Sequence, residues 1–166
     1  MLTRLNMLCV GLSGVRPQVV ETLVQLLNRY VIPYVPEAGS VGASDLAPLA
    51  HVALVLVGEG RAWYNDELLP GAEALKRAKI PACDLQGRDG FALINGLSQS
   101  TGIGSLALND TARLVANAEV AAALSMSALG SRLDSLDERV LRGKPHAGSL
   151  ISARRLRRLF EVKKKE

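Results

Sequence analysis

The residues best suited to chemistry lie between Val35 and His51, reading Val-Pro-Glu-Ala-Gly-Ser-Val-Gly-Ala-Ser-Asp-Leu-Ala-Pro-Leu-Ala-His. Two glycines and a run of small side chains let the backbone approach a ligand closely, and an apolar helical pattern begins at once from Leu46. Ser44 and Asp45 are both good N-cap residues, and Pro48 is tolerated in the first turn because its missing N–H has no intrahelical partner there. The segment therefore reads as a tight turn that delivers free N–H groups and the positive end of a helix dipole. Phosphate cradling is disfavoured, because no Lys-Ser or Lys-Thr follows the glycines and Asp45 puts negative charge where an anion would sit. A plain elbow between two helices satisfies the same spacing.

Asn95 is the second candidate. It stands where the apolar run Phe91-Ala92-Leu93-Ile94 stops at Gly96, so its amide can cap backbone groups or project into a cavity as a neutral donor. His51 has the chemistry of an acid or base, but a single histidine in an apolar helix reads better as a hydrogen-bonded core residue.

Gly39-Ser40-Val41-Gly42-Ala43-Ser44-Asp45-Leu46-Ala47-Pro48-Leu49-Ala50-His51 resembles the signature of the aromatic amino acid ammonia-lyases and aminomutases, the family that includes histidine ammonia-lyase. Three further segments carry the same resemblance: Asn6-Met7-Leu8 with Gly11-Leu12-Ser13-Gly14 and Arg16, then Leu93-Ile94-Asn95-Gly96, then Lys144-Pro145-His146-Ala147-Gly148. In that family an Ala-Ser-Gly triplet cyclises and loses water, giving a protein-derived methylidene-imidazolone electrophile with no external cofactor. The resemblance implies a catalytic set of Ala43, Ser44, Asp45 and Asn95, with the asparagine beside the electrophile. It also exposes a departure: Ser44 is followed directly by Asp45, where the family has Ser-Gly-Asp. The side chain of Asp45 restricts the backbone of a cyclising loop, so an uncyclised loop is expected.

The resemblance further implies a homotetramer acting on a small amino acid substrate, with sites drawn from three subunits. Its catalytic tyrosine falls before Met1 in family order, and its Gln-x-x-Tyr-Ser-x-Arg segment and late glutamate fall beyond Glu166. Pro48-Leu49-Ala50-His51 is nearer the histidine type, while Thr101-Gly102-Ile103-Gly104-Ser105-Leu106 is similar to tyrosine- and phenylalanine-acting members. Histidine, phenylalanine and tyrosine all stay open as substrates.

The elements that must position these residues follow from periodicity. Ser13 and Gly14 end one element, and Pro17 opens a helix with the stripe Val19, Val20, Leu23, Val24, Leu26 and Leu27. Leu46 to Val57 is apolar on every face and reads as a buried helix stopped by Gly58 and Gly60. Arg61 to Leu69 reads as a small β-hairpin turning at Asn65-Asp66, followed by a short helix from Ala72 to Lys79. A very long helix is expected from Leu97 to about Leu129, and residues 130–145 read as a loop in which Asp134, Asp137 and Glu138 are caps or solvated charges. The expected fold class is all-α, a bundle of long helices with one minor hairpin. Residues 1–150 form the lyase-like part and residues 151–166 a basic terminal helix or tail.

Composition sets the remaining bounds. The 166 residues carry a net charge of +4. Residues 151–166 hold seven basic side chains against two acidic ones, so the basicity belongs to that tail. With Phe160 its sole aromatic, the tail reads as a solvated helix, and nucleic acid is a disfavoured partner. No apolar run is long enough to span a bilayer, residues 1–10 lack the pattern of a signal peptide, and a cytoplasmic location is expected. Cys9 and Cys83 have no metal-site spacing and read as reduced, buried small hydrophobes. The alternative to an ammonia-lyase is an inactive fragment or degenerate paralogue serving as a structural or interaction module.

Overall fold

The structure is a computed structural model that describes residues 1–39, 42–143 and 146–162. Ser40, Val41, Lys144 and Pro145 of the motifs above, and residues 163–166 of the basic tail, lie outside the described residues. The chain forms two units, Met1–Ser105 and Leu106–Glu166.

Unit 1 holds α1 (Leu2–Cys9), α2 (Pro17–Asn28), β1 (Ile32–Pro33), α3 (Leu46–Leu56), β2 (Arg61–Tyr64), β3 (Glu67–Pro70), α4 (Gly71–Arg77), α5 (Asp89–Ile94) and the first turns of α6 (Ser98–Ala128). Pro17 sits in the first turn of α2, where a missing N–H costs nothing. Val19, Leu23 and Leu26 are fully buried at helical spacing, each contributing about 1.5–3 kcal/mol. They meet Leu8 of α1, Val52, Val55 and Leu56 of α3, Ala62 of β2 and Leu75 of α4 in one core. As expected from its apolarity, α3 is buried on several faces, including Leu49, Val52, Ala53, Val55 and Leu56.

The hairpin forms as read, with Asn65 and Asp66 both at positive φ (49° and 63°), the backbone of a tight turn matched to strand twist. Its sheet has a third strand that was not expected: β1 pairs antiparallel with β2, Ile32 opposite Trp63 and Pro33 opposite Ala62. Two residues containing a proline give no alternation to read, and the proline is accommodated because β1 is an edge.

Other expectations are corrected. The first element ends at Cys9 rather than at Ser13, with Gly11 taking up the turn at φ 81°. Cys83 is buried, but Cys9 is exposed because it lies off the face of α1 that carries Arg4 and Leu8. His51 is half-buried on α3 and its imidazole forms no hydrogen bond among the described residues, so it is not the bonded core histidine expected.

Unit 2 holds the rest of α6, a 3₁₀ turn (Asp134–Leu136), α7 (Glu138–Leu141) and α8 (Ala147–Val162). Of the stretch expected as a loop, the described residues 130–143 are thus partly helical: Asp137 accepts from the Arg139 N–H at 2.8 Å and caps α7. Glu138 receives Arg154, and Arg155 reaches the buried Glu119 at 3.3 Å, so part of the basic charge on α8 is spent within the unit. No helix among the described residues is long and apolar enough to cross a membrane.

Candidate active site

Helix α5 stops at Ile94, and Asn95 leaves it in an extended conformation with φ −94° and ψ 107°. Arg4 dictates what can follow. It lies one turn before Leu8 on the buried face of α1, is 4% exposed, and donates from Nη2 to the carbonyls of Ala92 and Asn95, the latter at 2.7 Å. A Cβ at position 96 would strike that guanidinium and displace it from the two carbonyls, so glycine at this position leaves the arginine its place. Burial pushes the Arg4 pKa down, yet a guanidinium stays charged. No carboxylate pairs with it and its Nε lacks a partner among the described residues, so a buried cation closes the C-terminal end of α5.

The loop before α3 meets this turn. Ser44 Oγ accepts from the Gly96 N–H at 2.7 Å and donates to the Gly96 carbonyl at 2.8 Å. The same hydroxyl lies 3.4 Å from Asn95 Oδ1, across 51 positions of sequence. The Asp45 N–H also donates to the Gly96 carbonyl, at 2.8 Å. Ser44 itself adopts φ 58°, the left-handed region, which costs a non-glycine residue roughly 1–2 kcal/mol. The two hydrogen bonds of its hydroxyl offset that cost.

Asp45 corrects the expected capping. It holds the N-cap position of α3, but its side chain makes no cap bond there. Its carboxylate instead accepts from Ser100 N–H at 2.9 Å and Ser100 Oγ at 2.6 Å, so it closes the first turn of α6. Burial acts to raise its pKa, while hydrogen bonds from Ser100 and the Gln99 backbone outweigh burial and bring the net shift down. A comparable buried carboxylate, Asp89 at the start of α5, accepts from Arg16 N–H at 3.0 Å, Arg16 Nε at 2.7 Å and Gln86 N–H at 3.0 Å. It ties the entrance of α2 to α5.

Of the sequence-derived set, Ser44, Asp45 and Asn95 come together around Gly96, and Ala43 precedes them as an exposed residue. Sequence reasoning missed Arg4 and Ser100. An arginine four positions from Leu8 on a buried helix face was the available signal for Arg4. Nothing local marked Ser100 as the partner of Asp45. No group of three or more His, Cys, Asp or Glu side chains among the described residues is arranged to hold a metal.

A family profile described as aromatic amino acid lyase matches residues 1–164. The chain belongs to the aromatic amino acid lyase family. A histidine ammonia-lyase of Caldanaerobacter subterraneus subsp. tengcongensis is 44% identical over 162 residues, 97% of this chain and 32% of that relative. The solved histidine ammonia-lyase of Trypanosoma cruzi superposes with a TM-score of 0.85 at 35% identity, over 93% of this chain and 31% of that one. The tyrosine aminomutase of Streptomyces globisporus gives 0.85 at 37% identity, over 93% and 29%. This lyase-family chain therefore spans about a third of the length of the curated relatives it matches.

Membership brings the methylidene-imidazolone into question, and the loop can be tested for it. Ring closure on Ala43 would need the Asp45 nitrogen against the Ala43 carbonyl. That N–H is instead donated to Gly96, and the Asp45 side chain is buried at 4% exposure and held on Ser100. Turning the peptide would break a backbone bond of about 0.5–1.5 kcal/mol and carboxylate bonds of about 1.5–3 kcal/mol each. The residues at positions 43–45 do not fit the group.

Proposed function

We propose that the chain is the loop-bearing segment of an ammonia-lyase for an aromatic amino acid, with histidine the favoured substrate, and that its loop as it stands presents the site without forming the electrophile. The observation that carries this reading is the convergence of Ser44, Asn95 and Gly96 from segments 51 and 52 positions apart. Histidine is favoured by the identities of 43–47% to relatives named histidine ammonia-lyase. The Asn95 amide is the group that steadies charge on a substrate, since it donates and accepts without altering the charge of the site. Arg4 holds the Asn95 carbonyl from beneath, and Asp45 locks the loop to α6. The proton-abstracting base comes from outside residues 1–166, within the proposed homotetramer.

The test titrates histidine, phenylalanine and tyrosine into the protein by calorimetry, and follows the absorbance of an unsaturated acid product. Histidine binding without product is expected from the chain as it stands, and product is expected once a glycine is inserted between Ser44 and Asp45 in the complete subunit. Failure of all three amino acids to bind, with no product from the inserted variant, would sink the reading. A second reading, a non-catalytic interaction module, draws on the exposed leucines of α6: Leu106, Leu108, Leu114 and Leu124 are 68–71% exposed.

A further inference from the structure

We propose that Ser44 stands in the place of the lyase triplet's glycine, so that the frame in this chain is Gly42-Ala43-Ser44 and its middle position carries no hydroxyl. This rests on the lyase reading and states which residue the shortened loop has lost. Three observations carry it. Ser44 is at φ 58°, a conformation that glycine adopts freely and serine rarely does, and it lies immediately before Asp45. Asp45 is fixed from both sides, by its N–H on the Gly96 carbonyl and its carboxylate on Ser100, and the Ser44 hydroxyl is held on Gly96 as well, so a loop one residue shorter takes up its loss before Ser44. The Ser44 hydroxyl is anchored through both its lone pair and its proton on Gly96, the role of a clamp rather than of a group about to leave as water.

The frame has a consequence that the alternative, Ala43-Ser44-Asp45, lacks. With Ala43→Ser, a hydroxyl appears at the middle position of a loop whose length is unchanged. The Ser44 nitrogen then attacks the Gly42 carbonyl carbon. The carbonyl oxygen leaves as water with the two protons from the amide nitrogens of residues 43 and 44. The new side chain then loses a second water, its hydroxyl departing with the α-proton of residue 43 while its carbon stays as the methylidene. In the frame Ala43-Ser44-Asp45 the same substitution changes only the first residue and alters nothing.

Intact and peptide masses decide between the frames, read on the full chain. Expected are an unmodified starting chain, a deficit of two water molecules on the peptide spanning positions 42–45 in Ala43→Ser, and a faster or more complete deficit in Ala43→Ser/Ser44→Gly. Insertion of a glycine between Ser44 and Asp45 is the control that shows the fold can cyclise a full-length loop. A deficit in the unsubstituted chain would overturn the proposed frame, as would a deficit in the insertion control with none in either substituted chain. If the insertion control itself stayed unmodified, the lyase reading would fall with the frame.

Discussion

Asp45 does more for the site than its place at the head of α3 suggests, because its carboxylate is spent on α6. Asp45→Asn keeps the shape but removes the charge from bonds to Ser100, and a loss of about 1–3 kcal/mol is expected in urea denaturation at neutral pH. Its folded pKa is depressed, so its contribution is present above the unfolded value of about 3.9 and is lost as pH falls through the lower folded value. The urea midpoint should decline below about pH 4 in the parent chain and decline less steeply in Asp45→Asn. Equal slopes would mean the carboxylate is not the group responsible. Ser44 and Asn95 were legible in the sequence because their neighbours form motifs, whereas Ser100 was not, since a bond across 55 positions leaves no local trace.

Among elements, the junction of α1, α5 and the Gly96 turn is the most exacting. Arg4→Ala leaves the carbonyls of Ala92 and Asn95 without their donor and opens a cavity, and is expected to cost about 2–4 kcal/mol. Gly96→Ala pushes its methyl against the guanidinium and should cost about 1–3 kcal/mol. In the double variant Arg4→Ala/Gly96→Ala the steric part vanishes, so the two losses should not add when measured by thermal or urea unfolding. Additive losses would deny the contact. The helices α2, α3 and α6 could be read from apolar spacing alone. The strand β1 could not, because Ile32 and Pro33 are too few to show a period and owe their pairing to the hairpin that arrives thirty positions later. The helical turns between 130 and 145 were hidden for a related reason: Asp137 and Glu138 are as good in a loop as at the helix start they occupy.

At the scale of the whole molecule, α6 carries Leu106, Leu108, Leu114 and Leu124 at 68–71% exposure on more than one face, and a helix that is apolar on several faces is ordinarily buried against partners. Self-association is the expected outcome, and sedimentation should show species larger than the 17.7 kDa chain at micromolar concentrations. Replacing Leu108, Leu114 and Leu124 by lysine should return the chain to that mass while leaving its helical circular dichroism unchanged. A parent chain that sediments as a monomer would argue that these leucines need a different partner. Extended apolarity from Leu97 to Leu129 was visible in the sequence, but which side chains stay uncovered is a property of the packed structure.

The two cysteines, one on the outside of α1 and one inside the core of unit 1, make the chain its own reporter of breathing motions. Cys9 should consume one equivalent of a thiol reagent within the mixing time. Burial raises the Cys83 pKa and shields its sulfur, so its labelling waits on an opening of the core. The lag between the two equivalents therefore clocks how often the α2–α3 interior comes apart under native conditions. Arg4→Ala should shorten that lag, which would give the clamp beneath Asn95 a kinetic signature without any substrate.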